Sequence, residues 1–230
     1  MFDRFLLGHQ LVNTLDYRLY EWRNDTTHPS RIISSDLYRP FGMFVVSTGE
    51  IYVNNGYGRI DKWKSKVNTY VIVAQFCSTC WAIFISMNDM IYCSMQYSIA
   101  TKSLHSNSST LTVIAGTGVE GSKPHMLSGP EGIFVDINID LYVADYLNHR
   151  VQLFRSGTID GITILITSDI LKDFDPTDVV LDANQNIYIV DSTDNRIFSG
   201  ISNNFKCIVG CRKEGMRVRV RIVLPDYGLR

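Results

Sequence analysis

Three short clusters in this chain have residue types and spacings that could do chemistry. Gly116-Thr-Gly118-Val-Glu-Gly121 follows an apolar run and has the glycine spacing that lets a backbone approach a dinucleotide pyrophosphate. That chemistry needs a helix directly after the glycines, with its N-terminus facing the phosphates. Ser122-Lys-Pro124-His-Met-Leu-Ser-Gly-Pro130 follows instead, so the segment reads as a loop between repeats. Asp136-Ile-Asn138-Ile-Asp140 has the oxygen spacing that opens a calcium loop, but Leu141 stands where the sharp turn needs glycine and no glutamate falls at the twelfth position. Asp182-Ala-Asn184-Gln-Asn186 repeats the pattern, which points to hairpin-turn chemistry rather than a cation.

Cysteine offers the third cluster. Cys77-Ser-Thr-Cys80 has the spacing of half a zinc site, and Cys207-x-x-x-Cys211 is the other pair that could complete it. A facultative disulfide and free thiols are the alternatives, and five cysteines including Cys93 do not assign a compartment. His9, His28, His105, His125 and His149 fall in loops, turns or the N-terminal region, away from the runs that read as inner strands. Catalytic residues, metal ligands and a cofactor are therefore not assigned, and an enzyme is not the expectation.

The elements that would position any site are set by a repeat. Pro40, Cys80, Pro130 and Pro176 each open an apolar run, and twelve residues after each comes a tyrosine: Tyr52, Tyr92, Tyr142 and Tyr188. Each copy reads as a strand, a tight turn and a second strand, at intervals of 40, 50 and 46 residues. That period belongs to the four-stranded propeller blade. A third strand follows a polar turn, as in Asp145-Tyr-Leu-Asn148-His-Arg150-Val151 and Asp191-Ser-Thr-Asp194-Asn195-Arg196-Ile197, where the arginine is expected to snorkel over the blade edge and pair with the turn aspartate. The first copy keeps Arg59 after Asn55-Gly-Tyr-Gly58; the second has lost both the Asp and the Arg. Outer strands are expected over residues 69–74, 110–115, 161–166 and 205–209.

The string Pro130-x-Gly132-Ile133-x-Val135-Asp136, then Leu141-Tyr142-Val143-Ala144-Asp145-x-x-Asn148-x-Arg150-Val151, resembles the NHL repeat family of β-propellers. The fourth copy departs from it with Asp178 for the glycine and Asp194 for the turn asparagine, and the second is recognisable mainly by register. The resemblance implies a ring scaffold, usually six-bladed, that binds proteins, RNA or other ligands.

The expected architecture is all-β: a β-propeller of four-stranded antiparallel blades, with a partial N-terminal blade over residues 1–36, four NHL-type blades over 37–210 and a basic tail over 211–230. Met216-Arg-Val-Arg-Val-Arg-Ile-Val-Leu224 alternates as a strand does, so the ring is either open or closed by that C-terminal strand. At 230 residues with 45% hydrophobic and 20% charged, the chain can bury a sizeable core, and it shows no secretory leader or apolar run long enough to span a bilayer. A net charge of −1 conceals a basic tail on an acidic body, which disfavours RNA.

The functional expectation is a non-enzymatic scaffold that binds a protein through one face. Phe41, Trp81, Glu131 and Thr177 enter the four inner strands and are the candidate contacts, while Asp145, Asn148, Arg150, Asp191 and Arg196 are structural turn residues. The alternatives are a hydrolase or lyase of the six-bladed class, an RNA-binding module, and a fragment with no independent role.

Overall fold

The computed structural model describes residues 19–21, 31–34, 37–64, 69–105, 110–166, 174–201 and 204–211. The chain divides into two compact units, Met1–Thr79 and Cys80–Leu224. In the first, β1 (Leu19–Glu21) pairs antiparallel with β2 (Arg31–Ser34). A four-stranded sheet then runs in chain order through β3 (Pro40–Val45), β4 (Ile51–Asn55), β5 (Arg59–Trp63) and β6 (Tyr70–Gln75). Leu37, Ile51, Val53 and Trp63 form its core.

The second unit contains three sheets of the same kind. They are β7 (Ile83–Ile85) to β10 (Thr112–Gly116) through β8 (Met90–Met95) and β9 (Ser98–Ser103); β11 (Pro130–Val135), β12 (Leu141–Asp145), β13 (Arg150–Phe154) and β14 (Ile162–Ile166); and β15 (Pro176–Leu181), β16 (Ile187–Asp191), β17 (Arg196–Ile201) and β18 (Asn204–Val209). All pairings within the sheets are antiparallel. The basic tail over residues 212–230 lies outside the described residues.

Burial explains the composition of each strand. The second strands β4 and β12 are buried along their whole length, which is why they read as continuous apolar runs. One core joins the second and third sheets through Tyr92, Ile99, Leu127, Ile133, Val143 and Phe154. Another joins the third and fourth through Tyr142, Val151, Phe174, Val179, Ile189 and Phe198. The outer strands are the most open to water, leaving Val71, Ile72, Val113, Ile162 and Ile208 exposed.

The inner hairpins turn by a common device. The residue three places before each repeat tyrosine has a left-handed backbone: Gly49, Asp89, Ile139 and Gln185. Asp136 Oδ1 accepts the amides of Asn138 (2.9 Å) and Asp140 (2.8 Å), and Asp182 Oδ1 accepts those of Asn184 and Asn186, both at 2.9 Å. The calcium-like spacing is therefore turn chemistry, and the Tyr188 hydroxyl adds a donor to Asp182 at 3.2 Å.

In the first, third and fourth sheets a second device ties the end of the second strand to the segment that leads into the inner strand. Asp145 accepts the Ser128 amide (2.8 Å), the Asn148 side-chain amide (2.9 Å) and Arg150 Nε (2.8 Å). Asp191 accepts the Asp175 amide at 3.2 Å and Arg196 at 2.6 Å. In the first sheet Asn55 accepts the Tyr38 amide, and the acid moves into β5, where Asp61 takes Asn55 Nδ2 (2.6 Å) and Arg59 (2.9 Å). The snorkelling expected of Arg150 does not occur. Its side chain is 7% exposed because the guanidinium donates to the carbonyls of Ser122, Lys123 and Met126, so it is spent on backbone acceptors beneath the loop.

Burial pushes the Asp145 carboxyl up, against the lowering pull of the Ser128 amide, Asn148 and Arg150. The arginine thus offsets a desolvation cost rather than adding a surplus. Arg150→Met is expected to lower the unfolding free energy by about 3–5 kcal/mol, because it strands a buried carboxylate. Urea unfolding checks this, and the double variant with Asp145→Asn is expected to lose less than the sum of the two single losses.

Candidate functional site

The inner strand β11 lies between β7 and β15, so the residues that lead into these three strands share one end of the second unit. Trp81 precedes β7 by two residues, and its amide donates to the Ser94 carbonyl at 2.9 Å. Ser94, fully buried on β8, receives the Ala82 amide on its hydroxyl (2.8 Å) and donates to the Glu131 carbonyl at 2.7 Å. One serine hydroxyl thereby links the lead-in of β7 to the start of β11.

Contact on the other side of β11 is closer still. A Cβ on Gly132 would lie 2.4 Å from Asp178 Oδ1 and 2.8 Å from the Thr177 carbonyl, so only glycine allows β15 to approach β11 this way. Glu131 therefore meets the acidic start of the neighbouring sheet. Burial, then the charges of Asp178 and Asp175, push its carboxyl up to about 7. Burial also pushes the Tyr146 hydroxyl up, with the Asp175 and Glu131 charges adding to it.

Asp175 organises the rest of the cluster. One carboxylate oxygen sits 2.6 Å from His149 Nδ1 and the other accepts the Thr193 hydroxyl. His149 Nδ1 also lies 3.2 Å from the Phe174 carbonyl. Both neighbours are acceptors, so Nδ1 carries the proton and donates. His149 holds this place from a left-handed backbone at φ 52°, as the last residue of the turn before β13.

Of the four expected contacts, Glu131 and Thr177 fall on β11 and β15 and Trp81 just before β7, all in the second unit, while Phe41 on β3 belongs to the first. Trp81 is 43% exposed and Phe41 44%. Asp175, Asp178, Tyr146, His149 and Ser94 were not singled out as contacts by sequence. The one available signal was Asp178, an acid where the repeat pattern has glycine.

One cysteine takes a partner other than its neighbour in spacing. Cys80 bonds Cys93, not Cys77, and Cys207 bonds Cys211. Cys77 is exposed and lies outside both bridges. Neither zinc half-site survives this pairing, and no group of three or more His, Cys, Asp or Glu that could hold a metal occurs among the described residues. The Gly116–Gly121 segment leads into a loop, tied by a bridge between Glu120 and Leu127, with no α-helix after it among the described residues. Nor is any described helix long and apolar enough to cross a membrane.

No protein-family model matches the chain, and no curated protein matches it significantly. Solved structures do. The chain is similar to the nidogen/laminin complex structure, with a TM-score of 0.64 and 13% identity over 84% of this chain and 74% of that one. It is also similar to a streptogramin B lyase (TM-score 0.58, 15% identity, 76% of this chain and 55% of that one) and to virginiamycin B lyase from Staphylococcus aureus (0.59, 11%, 90% and 65%). The chain therefore spans between about half and two thirds of the length of those lyases. At such identities the likeness concerns the fold alone: four-stranded antiparallel blades arranged as in β-propellers.

Proposed function

We propose that this chain is a non-enzymatic, NHL-type β-propeller scaffold that binds a protein partner through the face where its inner strands begin. In this reading residues 37–210 are the blades, 1–36 a partial blade and 211–230 a basic tail that either leaves the ring open or closes it as a strand. The observation that carries it is the exposure of Trp81 and Phe41, large apolar side chains where two of the inner strands begin. Aromatic side chains on a rigid frame lose little conformational entropy on binding and supply most of an interface's energy. The similarity to a structure solved as a nidogen/laminin complex accords with this use of the fold.

Parallel affinity capture with the full chain and with Phe41→Ala/Trp81→Ala tests the reading. A partner retained by the native chain is expected to be lost from the variant, at a cost of about 2 kcal/mol or more per anchor, while its unfolding midpoint stays within error. Equal capture by both chains would refute the assignment of these contacts.

One observation favours a second reading, acid–base chemistry of the hydrolase or lyase kind. A carboxyl poised near neutrality beside a His–Asp pair is an arrangement that proton transfer uses, and Glu131 and His149–Asp175 supply its parts. Hydrolysis of a panel of esters and lactones by the purified chain, lost in both Glu131→Gln and His149→Ala, would favour this reading over the scaffold.

The Glu131 environment also has a consequence for stability that is independent of function. Its folded value near 7 lies above the ordinary 4.5, so between those values the native state holds more protons than the unfolded state. Stability is then expected to fall as pH rises through that window, and the penalty is complete above it. Glu131→Gln is expected to remove this slope and to stabilise the chain at pH 8 by about 1–2 kcal/mol, allowing for solvent screening of a half-exposed group. Urea unfolding across pH 4–8 measures both effects.

A further inference from the structure

All four outer strands carry a β-bulge at the same place. Between consecutive residues of the third strand, the outer strand has one residue too many: Val73 in β6, Ile114 in β10, Ile164 in β14 and Ile208 in β18. Only the last of these is closed by a covalent bond. Cys207 stands just before the extra residue, and its disulfide to Cys211 encloses Ile208, Val209 and Gly210. Ile72, Val113 and Thr163 occupy the place of Cys207 in the other three strands, so the bulge itself forms without a brace.

The bridge sits on the edge strand of its sheet, in a segment that turns back tightly. Gly210 has φ 70°, and a Cβ there would lie 2.1 Å from the Asn195 carbonyl, in the turn before β17. Cys211 is exposed and Cys207 half-buried, whereas Cys80 and Cys93 are both fully buried. A dissolved thiolate therefore reaches Cys207–Cys211 without opening the blade, and reaches the other bridge only after opening. In the sequence Lys206 precedes the pair and Arg212 and Lys213 follow it, a positive run that draws in an anionic thiolate.

We propose that Cys207–Cys211 is a reversible thiol–disulfide exchange site, a redox modification site whose dithiol form loosens the end of β18 and leaves the blade folded. The co-reactant is an anionic monothiol of the glutathione class. Its thiolate attacks Cys211 Sγ, the Cys207–Cys211 bond breaks, and Cys207 leaves as a thiolate that takes a proton from water. A second monothiol attacks the mixed disulfide, freeing Cys211 in the same way and departing as the disulfide of the two monothiols. The chain thereby gains two electrons and two protons. The Val209 carbonyl, 3.3 Å from Cys207 Sγ, is in place to accept from the new thiol. This site is independent of the scaffold reading, since it lies on an outer strand and needs no partner at the inner-strand face.

The test equilibrates the native full chain with glutathione buffers of graded ratio, followed by acid quench, alkylation and peptide mapping. Cys207 and Cys211 are expected to pass together between bridged and reduced forms, reversibly, with Cys80–Cys93 reacting at least about tenfold more slowly. On reduction, amide exchange over residues 208–211 should rise by about tenfold or more while β12 and β16 stay unchanged. The reduced chain should still unfold cooperatively, with its Tm lower by less than about 10 °C, because so short a ring restrains the unfolded chain little. Cys207→Ser/Cys211→Ser should match the reduced chain in exchange and ignore glutathione. Reduction no faster than at Cys80–Cys93, failure to re-form the bridge, or unchanged exchange after reduction would each overturn the proposal. Unfolding on reduction, or a double variant that does not fold, would make the bridge a structural staple and overturn it equally.

Discussion

The amide that precedes an inner strand takes its hydrogen bond from a side chain at the end of the second strand, and the blades depend on that bond. Leaving such a buried donor unpaired would cost on the order of 1–3 kcal/mol. Asn55, Asp145 and Asp191 meet the need in three sheets. Each solution creates a further demand, because a carboxylate fully removed from water requires a cation. Arg150 and Arg196 answer it within the following strand, and in the first sheet the acid has migrated to Asp61, beside Arg59. The Asp-x-x-Asn-x-Arg string is thus one electrostatic unit, in which the asparagine and arginine also hold the carbonyls of the loop over residues 121–126.

This framework brings inner strands close enough for their first residues to interact. Gly132 admits β15 at backbone distance, and the cost of that proximity is electrostatic: Glu131, Asp175 and Asp178 collect where two sheets meet. The native chain accommodates this by keeping a proton on Glu131 to higher pH and by committing Asp175 to His149 and Thr193. Here the approach of two sheets, rather than any single residue, sets the charge state of the carboxyl.

Much of this was legible in the residues. The tyrosine spacing named four blades, and the structure has four four-stranded antiparallel sheets at those positions, with outer strands displaced by no more than about two residues, as boundaries usually are. Turn chemistry at Asp136 and Asp182 was readable because its partners lie within four residues. The fate of Arg150 was not, since its acceptors lie 24 to 28 residues away in a loop with no periodic signal. Cysteine spacing pointed to Cys77–Cys80, whereas the pairing that forms joins residues thirteen apart, brought together by the β7–β8 ladder.

By itself the sequence determined what is local and periodic: strand, turn and blade, because alternation, glycine and Asx chemistry act over a few residues and recur. Tertiary structure decided what happens where sheets meet. The raised carboxyl of Glu131, the packing of β15 on Gly132, the Ser94 bridge and the choice of Cys93 for Cys80 all arise from approach distances between strands far apart in the chain. Burial and charge are properties of that assembled environment, so the chemistry of this site exists only once the blades have packed.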